Sequence, residues 1–245
     1  MNKAWLIILL CQNWLGILLN KFFNWPLKLI KLRNGTVFLV KNRLAKAELS
    51  ILIDIWDKKV YNPPGFEIHE HDVVVDVGAH KGYFSVLAAK LARKGTVYAL
   101  EPVIESTAFI QANASLNSLR NINICNFGLW NQTGEANLFL SSNSGGHSLR
   151  PKPSTIGKRL ISTVTLEKFC DDRGIQTIDF LKLDCEGAEY GIFPLPKQIL
   201  DRIQKVSMET HDFGQYHHSE IEKHLHEGGF VVTCAPGYLY ARRVN

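Results

Sequence analysis

Acidic residues are missing from the first 47 positions of this 245-residue chain, although 23 follow. The same stretch holds Lys3, Lys21, Lys28, Lys31, Arg33, Lys41, Arg43 and Lys46, which leaves residues 48–245 with 20 basic against 23 acidic groups, a net of −3. The formal charge of +5 therefore belongs to the N-terminal segment. The basic pI is therefore poor evidence for a folded domain that grips nucleic acid. Cysteine is also scarce. Cys11, Cys125, Cys170, Cys185 and Cys234 form no CxxC pair and no metal-like spacing. At this size they imply reduced thiols in a cytoplasmic domain, not a disulfide scaffold. Internal repeats and low-complexity tracts are absent, and 46% hydrophobic with 21% charged residues excludes whole-chain disorder.

A long spanning run is missing too. Residues 4–20 carry no charge, but Gln12, Asn13, Gly16 and Asn20 interrupt them on roughly one helical stripe. About 20 apolar residues are needed to cross a bilayer. The segment better fits a helix in the membrane interface, with Trp5, Trp14, Trp25, Phe22 and Phe23 at headgroup level and peripheral contact through residues 1–25. A helix packed on its own domain and a true span are the alternatives. No small-residue cleavage site follows the run, which argues against a signal peptide. The basic excess after Leu19 puts the expected location in the cytoplasm, at the inner face of a membrane.

Residues 29–40 read as a β-hairpin around Asn34-Gly35, a type I′ turn signal, and Leu44 to Trp56 as a helix. Asn62-Pro63-Pro64-Gly65 then breaks the chain. Residues 1–65 are thus a leader of helix, hairpin and helix, and residues 66–245 the main domain. There, strands at 73–77, 96–101, 122–127, 178–184 and 205–209 alternate with helical stretches. That order predicts an α/β, doubly wound parallel sheet of Rossmann-like type. Segments 230–233 and 238–242 are expected to close it as an antiparallel hairpin. Residues 141–158, with Ser144-Gly145-Gly146-His147 and two prolines, read as a mobile loop.

In such sheets ligands bind beyond the carboxyl ends of the strands. The first core strand ends in Asp76-Val77-Gly78-Ala79-His80-Lys81-Gly82, where glycine lets backbone approach a ligand. The second ends in Glu101, placed to take both hydroxyls of a ribose. The fourth ends in Asp184-Cys185-Glu186-Gly187-Ala188-Glu189, and the fifth in Glu209-Thr210-His211. Glu186 and Glu189 form a capping-box-like pair. A dinucleotide GxGxxG would need glycine where His80 stands. The turn therefore suits an adenosine site without a pyrophosphate, which favours S-adenosylmethionine over NAD. His69-Glu70-His71-Asp72 looks metal-like, but strand alternation sends its side chains to opposite faces. No metal is expected.

These stretches, together with Ala99-Leu100-Glu101-Pro102, Asn113, Leu116-Asn117, Val164-Thr165-Leu166 and Phe180 to Glu189, resemble the FkbM family of S-adenosylmethionine-dependent methyltransferases over about residues 30–212. His80 departs from the family pattern. The resemblance implies a class I methyltransferase sheet with an antiparallel last strand, and O-methylation of a sugar, glycan or other small-molecule hydroxyl. It implies cofactor contacts from Asp76, Gly78, His80, Gly82 and Glu101, with Asn113 beside them. Asp184 and His211, ending adjacent strands, are the candidates for the base. The rival readings are a nicotinamide-dependent oxidoreductase or epimerase, a nucleic-acid methyltransferase and a non-catalytic membrane scaffold. No Tyr-x-x-x-Lys helix supports the first, and the acidic balance opposes the second.

Overall fold

The chain, seen in a computed structural model, is described over residues 3–41, 46–143, 145–212 and 214–244, with backbone alone at Lys3, Lys46 and Ala47. Its leader contains α1 (Lys3–Leu10), α2 (Trp14–Phe23), β1 (Leu29–Lys31), β2 (Val37–Leu39) and α3 (Lys46–Trp56). The expected helix start at Leu44 lies outside the described residues. Then follow β3 (Val73–Val77), α4 (Tyr83–Leu91), β4 (Thr96–Leu100), α5 (Ile104–Leu116), β5 (Ile122–Cys125), β6 (Gly128–Leu129), β7 (Gly134–Leu140), β8 (Gly157–Val164) and α6 (Leu166–Arg173). The chain ends with β9 (Phe180–Leu183), α7 (Glu189–Ile192), α8 (Lys197–Leu200), β10 (Lys205–Glu209), α9 (His218–Glu227), β11 (Phe230–Ala235) and β12 (Tyr238–Arg243).

The main sheet has the order β11-β12-β10-β9-β3-β4-β5. Strands β10, β9, β3, β4 and β5 are parallel, and β12 runs antiparallel between β10 and β11. The α/β doubly wound sheet and its antiparallel closing hairpin are as expected. Strand order reverses between β3 and β9, so their carboxyl ends frame the crevice where this architecture takes ligands.

Both sheet faces are covered, which is why β3 reads as an unbroken apolar run. Val75 and Val77 join the cluster of Leu181, Leu183, Phe169 and Leu225, whereas Val74 points to the opposite cluster with Phe84, Val97 and Phe180. Leader residues Ile7, Ile17, Ile30, Phe38 and Leu52 belong to that second cluster. Each such side chain contributes about 1.5–3 kcal/mol by leaving water. The leader and the sheet thus share one core.

Three leader features differ from the sequence reading. The charge-free segment is two helices, because Cys11 to Asn13 pair with the hairpin instead. Gln12 N–H donates to the Lys31 carbonyl, and Cys11 bridges Leu32. Ile7, Cys11 and Ile17 are buried, so the inner face is packed on the domain. Among the described residues no helix is long and apolar enough to cross a membrane. The hairpin turn is not type I′ either. Only Gly35 of the pair is left-handed (φ 84°). Gly35 N–H donates to Leu32 and Leu32 N–H to Thr36, giving a three-residue loop. The Asn34 side chain accepts from Thr36 N–H and locks it.

The excursion after β5 is a three-stranded sheet, β6-β8-β7. Residues 157–159, read as loop or left unassigned, begin β8. The remaining loop, with Ser144 outside the described residues, is tied down. Ser148 donates to the Glu186 carbonyl (2.7 Å), and Arg150 to the Tyr190 carbonyl (3.0 Å). Lys152 pairs with the Glu186 carboxylate (2.5 Å).

Candidate active site

A cavity of about 330 Å³ opens at the carboxyl ends of β3, β4, β9 and β10. That volume falls in the range of small-molecule sites. Gly78, His80, Glu101, Asp184, Glu186 and Glu209 contribute to its wall, with Tyr61 entering from the leader and His147 from the loop. Of the residues selected from the sequence, Gly78, His80, Glu101 and Asp184 line this one cavity. The other four are elsewhere.

Asp76 is fully buried on the leader-facing side of β3. Its carboxylate pairs with Lys182 (3.0 Å) and accepts from Ser85 (2.6 Å), so it braces the strand end and does not line the cavity. Gly82 likewise faces protein. Its φ is 78°, and a Cβ would press on Ile110, so this glycine lets α4 approach α5. Asn113 and Asn117 tie the leader hairpin to α5. Asn113 accepts from Leu39 N–H (2.7 Å) and donates to the Lys81 carbonyl (2.8 Å), while Asn117 exchanges bonds with Val37. Neither contributes to the cavity wall.

Gly78 is indispensable for two reasons. Its φ is 75°, and a Cβ there would collide with the Asp184 carbonyl. The ends of β3 and β9 therefore touch backbone to backbone. His80 follows in a left-handed conformation (φ 50°). Its N–H donates to Glu101 Oε2 (2.8 Å), and Val103 N–H donates to Oε1 (2.9 Å). A carboxylate offers about four acceptor positions, so each oxygen retains one for a ligand hydroxyl. Burial pushes the Glu101 carboxyl up to about 7, against the pull of these two N–H donors. Burial also pushes the His80 imidazole down to about 4, leaving it neutral.

Lys182 is the central cation. It is buried on β9 in register with Asp76. Its ammonium meets Asp76 at 3.0 Å, the carbonyls of Val77 and Gly78 at 3.3 and 3.1 Å, and Asp184 at 3.8 Å. Burial opposes its charge, but Asp76 and Asp184 outweigh that and raise its pKa. Asp184 is the mirror case. Burial would raise it, yet Lys182 and His211 hold its carboxyl below the usual range.

Tyr61 OH stands 2.8 Å from Asp184 Oδ2 and 2.9 Å from Glu209 Oε2. A phenol has one proton to donate, so the second proton of this triangle belongs to a carboxyl. Burial and the neighbouring Asp184 push Glu209 up to about 7.

His211 lies behind the carboxylates and not in the cavity wall. Its Nε2 is 4.0 Å from Asp184 and 3.9 Å from Glu186, and its Nδ1 is 3.3 Å from Glu189. Burial alone would lower its pKa, but Glu189, Asp184 and Glu186 drive it up to about 9. At neutral pH it is an imidazolium, unsuited to act as base. Asp184, Glu186 and His211 do form a cluster that the sequence spacing hid, their ligand atoms within 4.8 Å. In it the imidazolium supplies the positive charge that a cation would. Glu189 accepts from Cys185 and Gly187 N–H and shapes the turn before α7, a capping role. Glu186 does not share it, being paired with Lys152.

Tyr61, Lys182 and Glu209 are the site residues that the sequence reading missed or undervalued. Lys182 had a signal, because a lysine inside a four-residue buried strand requires a charged partner.

The fold and the motifs agree with the comparisons. A solved FkbM methyltransferase from Methylobacillus flagellatus KT superimposes with a TM-score of 0.52 at 15% identity, covering 79% of this chain and 53% of that one. A precorrin-6y C5,15-methyltransferase from Geobacter metallireducens GS-15 covers 84% of this chain and 94% of its own, at 14% identity and a TM-score of 0.46. No curated protein matches the sequence. The family model described as the methyltransferase FkbM domain matches residues 76–232, from the β3 carboxylate to β11, and the chain belongs to that family.

Proposed function

We propose that this protein is an S-adenosylmethionine-dependent O-methyltransferase acting on a hydroxyl of a sugar, glycan or other small molecule. The carrying observation is that Glu101, with one acceptor position left on each oxygen, and Asp184, held ionised, open on the same cavity. The donor set fits the cofactor. Glu101 would hold the ribose hydroxyls, and Gly78 and His80 stand beside it in the same cavity wall. The bound cofactor supplies an activated methyl group on a sulfonium.

This chain's own residues do the rest. Asp184 orients the acceptor hydroxyl and takes its proton as the oxygen becomes a nucleophile, which is the step that a poorly acidic alcohol needs. Tyr61 and Lys182 fix the carboxylate's direction and keep it charged. Glu209, joined to Asp184 through the Tyr61 hydroxyl, carries the second proton of this triangle and leaves Asp184 as the ionised member. Positioning contributes most of the acceleration, because the donor is already reactive.

Calorimetry with S-adenosylhomocysteine and NAD, followed by transfer of labelled methyl from S-adenosylmethionine to a panel of glycans and small alcohols, tests the proposal. Tight binding of the first ligand and label on an acceptor oxygen are expected. Preferential NAD binding, or label on RNA alone, overturns it.

A further inference from the structure

The leader helices are oriented the opposite way from an ordinary surface helix. Asn13 and Asn20 turn inward. Asn13 accepts from Lys31 N–H (2.9 Å) and donates to the Leu29 carbonyl (2.8 Å), and Asn20 donates to the Trp25 carbonyl (2.6 Å). Gly16 faces Leu27. The outer side is apolar. Trp5 and Leu9 lie one turn apart on α1, Leu15 and Phe22 two turns apart on α2, and Phe23 and Trp25 follow. Their exposures run from 52% to 75%. Among the described residues every exposed tryptophan or phenylalanine lies in this segment, and the exposed large hydrophobics elsewhere are aliphatic. Lys21, Lys28, Lys31 and Arg33 are exposed in the same segment, and no acid precedes Glu48.

We propose that the outer face of α1 and α2 docks this protein onto the surface of an anionic lipid bilayer. Aromatic rings favour the headgroup boundary, and lysines beside them favour anionic phosphates. Two helices of eight and ten residues reach about 12–15 Å each at 1.5 Å per residue, so they lie on a bilayer about 30 Å thick and do not cross it. The net −3 of residues 48–245 faces the membrane unfavourably, so charge sets which side lands. The contact is rigid, because the inner face of both helices is core. Ile7, Cys11 and Ile17 are fully buried, and Arg33 bonds the Ile8 carbonyl at the end of α1. Docking therefore orients the whole domain. This inference is independent of the reaction proposed above.

The test is co-sedimentation of the full chain with vesicles of phosphatidylcholine alone, or with about a third phosphatidylglycerol. Binding to the anionic vesicles that weakens with added salt is expected. Phe22→Ser/Phe23→Ser/Trp25→Ser should lose more than tenfold in partitioning, with circular dichroism and melting temperature unchanged. Lys21→Gln and Lys28→Gln should each weaken anionic binding about fivefold. These surface changes keep the proposal testable should the triple variant misfold. No partitioning of the full chain, or equal partitioning of all variants, overturns it. So does concentration-dependent self-association abolished by the triple variant, which would make a second copy the occupant.

Discussion

The phenol of Tyr61 donates to the carboxylate of Asp184 across 2.8 Å, so a leader side chain closes on the end of β9. The leader is thus part of the chemical site as well as of the core. Tyr61→Phe removes the donor and keeps the ring that packs on Phe84 and Tyr238. Asp184 then loses one stabilising bond to its charged form, and its pKa rises. Turnover should fall about tenfold, the scale of a hydrogen bond to a charged group. The acid limb of the turnover profile should move to higher pH, while affinity for S-adenosylhomocysteine stays unchanged. A profile that does not move would make Tyr61 a packing residue only.

Glu101 gives a second pH signature. Burial holds its carboxyl neutral below about 7 in the free protein. The ionised form is the stronger acceptor for ribose hydroxyls. Affinity for S-adenosylhomocysteine should therefore tighten as pH rises from 6 to 8. Glu101→Gln should bind about 10- to 100-fold more weakly and flatten that dependence. Calorimetry at several pH values reads both effects, and a wild type without pH dependence would refute the assignment.

Lys182 links structure to site. Its loss leaves Asp76 buried and uncompensated beside Asp184. Breaking a buried pair from one side costs about 3–5 kcal/mol. Lys182→Met should lower the unfolding free energy by that amount in urea. The double variant Lys182→Met/Asp76→Leu should recover part of it, since no lone carboxylate remains on β3.

The parts of this site that were legible in the sequence are those that strand ends index. A buried parallel strand is an apolar run, and the first polar residue after it falls at the crevice. Glu101 and Asp184 reach the cavity wall by that rule, and Gly78 with them. Asp76 misled the same reasoning. It lies inside the strand on the leader-facing side, and its partner Lys182 sits at the same register on β9. Both charges interrupt apolar runs, and pairing the two anomalies would have identified them. Tyr61 left no such trace, because its contacts to Asp184 and Glu209 span 123 and 148 positions. Asn113 reads towards the cofactor by resemblance, because a short polar residue on a helix serves a ligand or a neighbouring strand equally well. Only the hairpin's position decides between them. The apolar leader was ambiguous for a related reason, since composition does not say which stripe of a helix faces the core.

Asp184 and His211 separate chemistry from charge balance. Asp184→Asn keeps the size of the side chain and removes the proton acceptor. Turnover should fall 10²-fold or more, about the contribution of a positioned general base, with cofactor affinity little changed. His211→Gln should do less to turnover, because the imidazolium does not line the cavity and acts on Asp184 from 4.0 Å. Its larger effect is on stability. The folded pKa of His211, about 9, lies above the ordinary 6.5. The protonated form is therefore favoured by folding. Its contribution is complete below about 6.5 and is lost as pH rises through about 9. Melting temperatures between pH 6 and 10 should fall for the wild type, and His211→Gln should remove that part of the slope. If instead His211→Gln abolishes turnover while Asp184→Asn retains it, the base is the histidine, and the raised pKa is relieved when substrate binds.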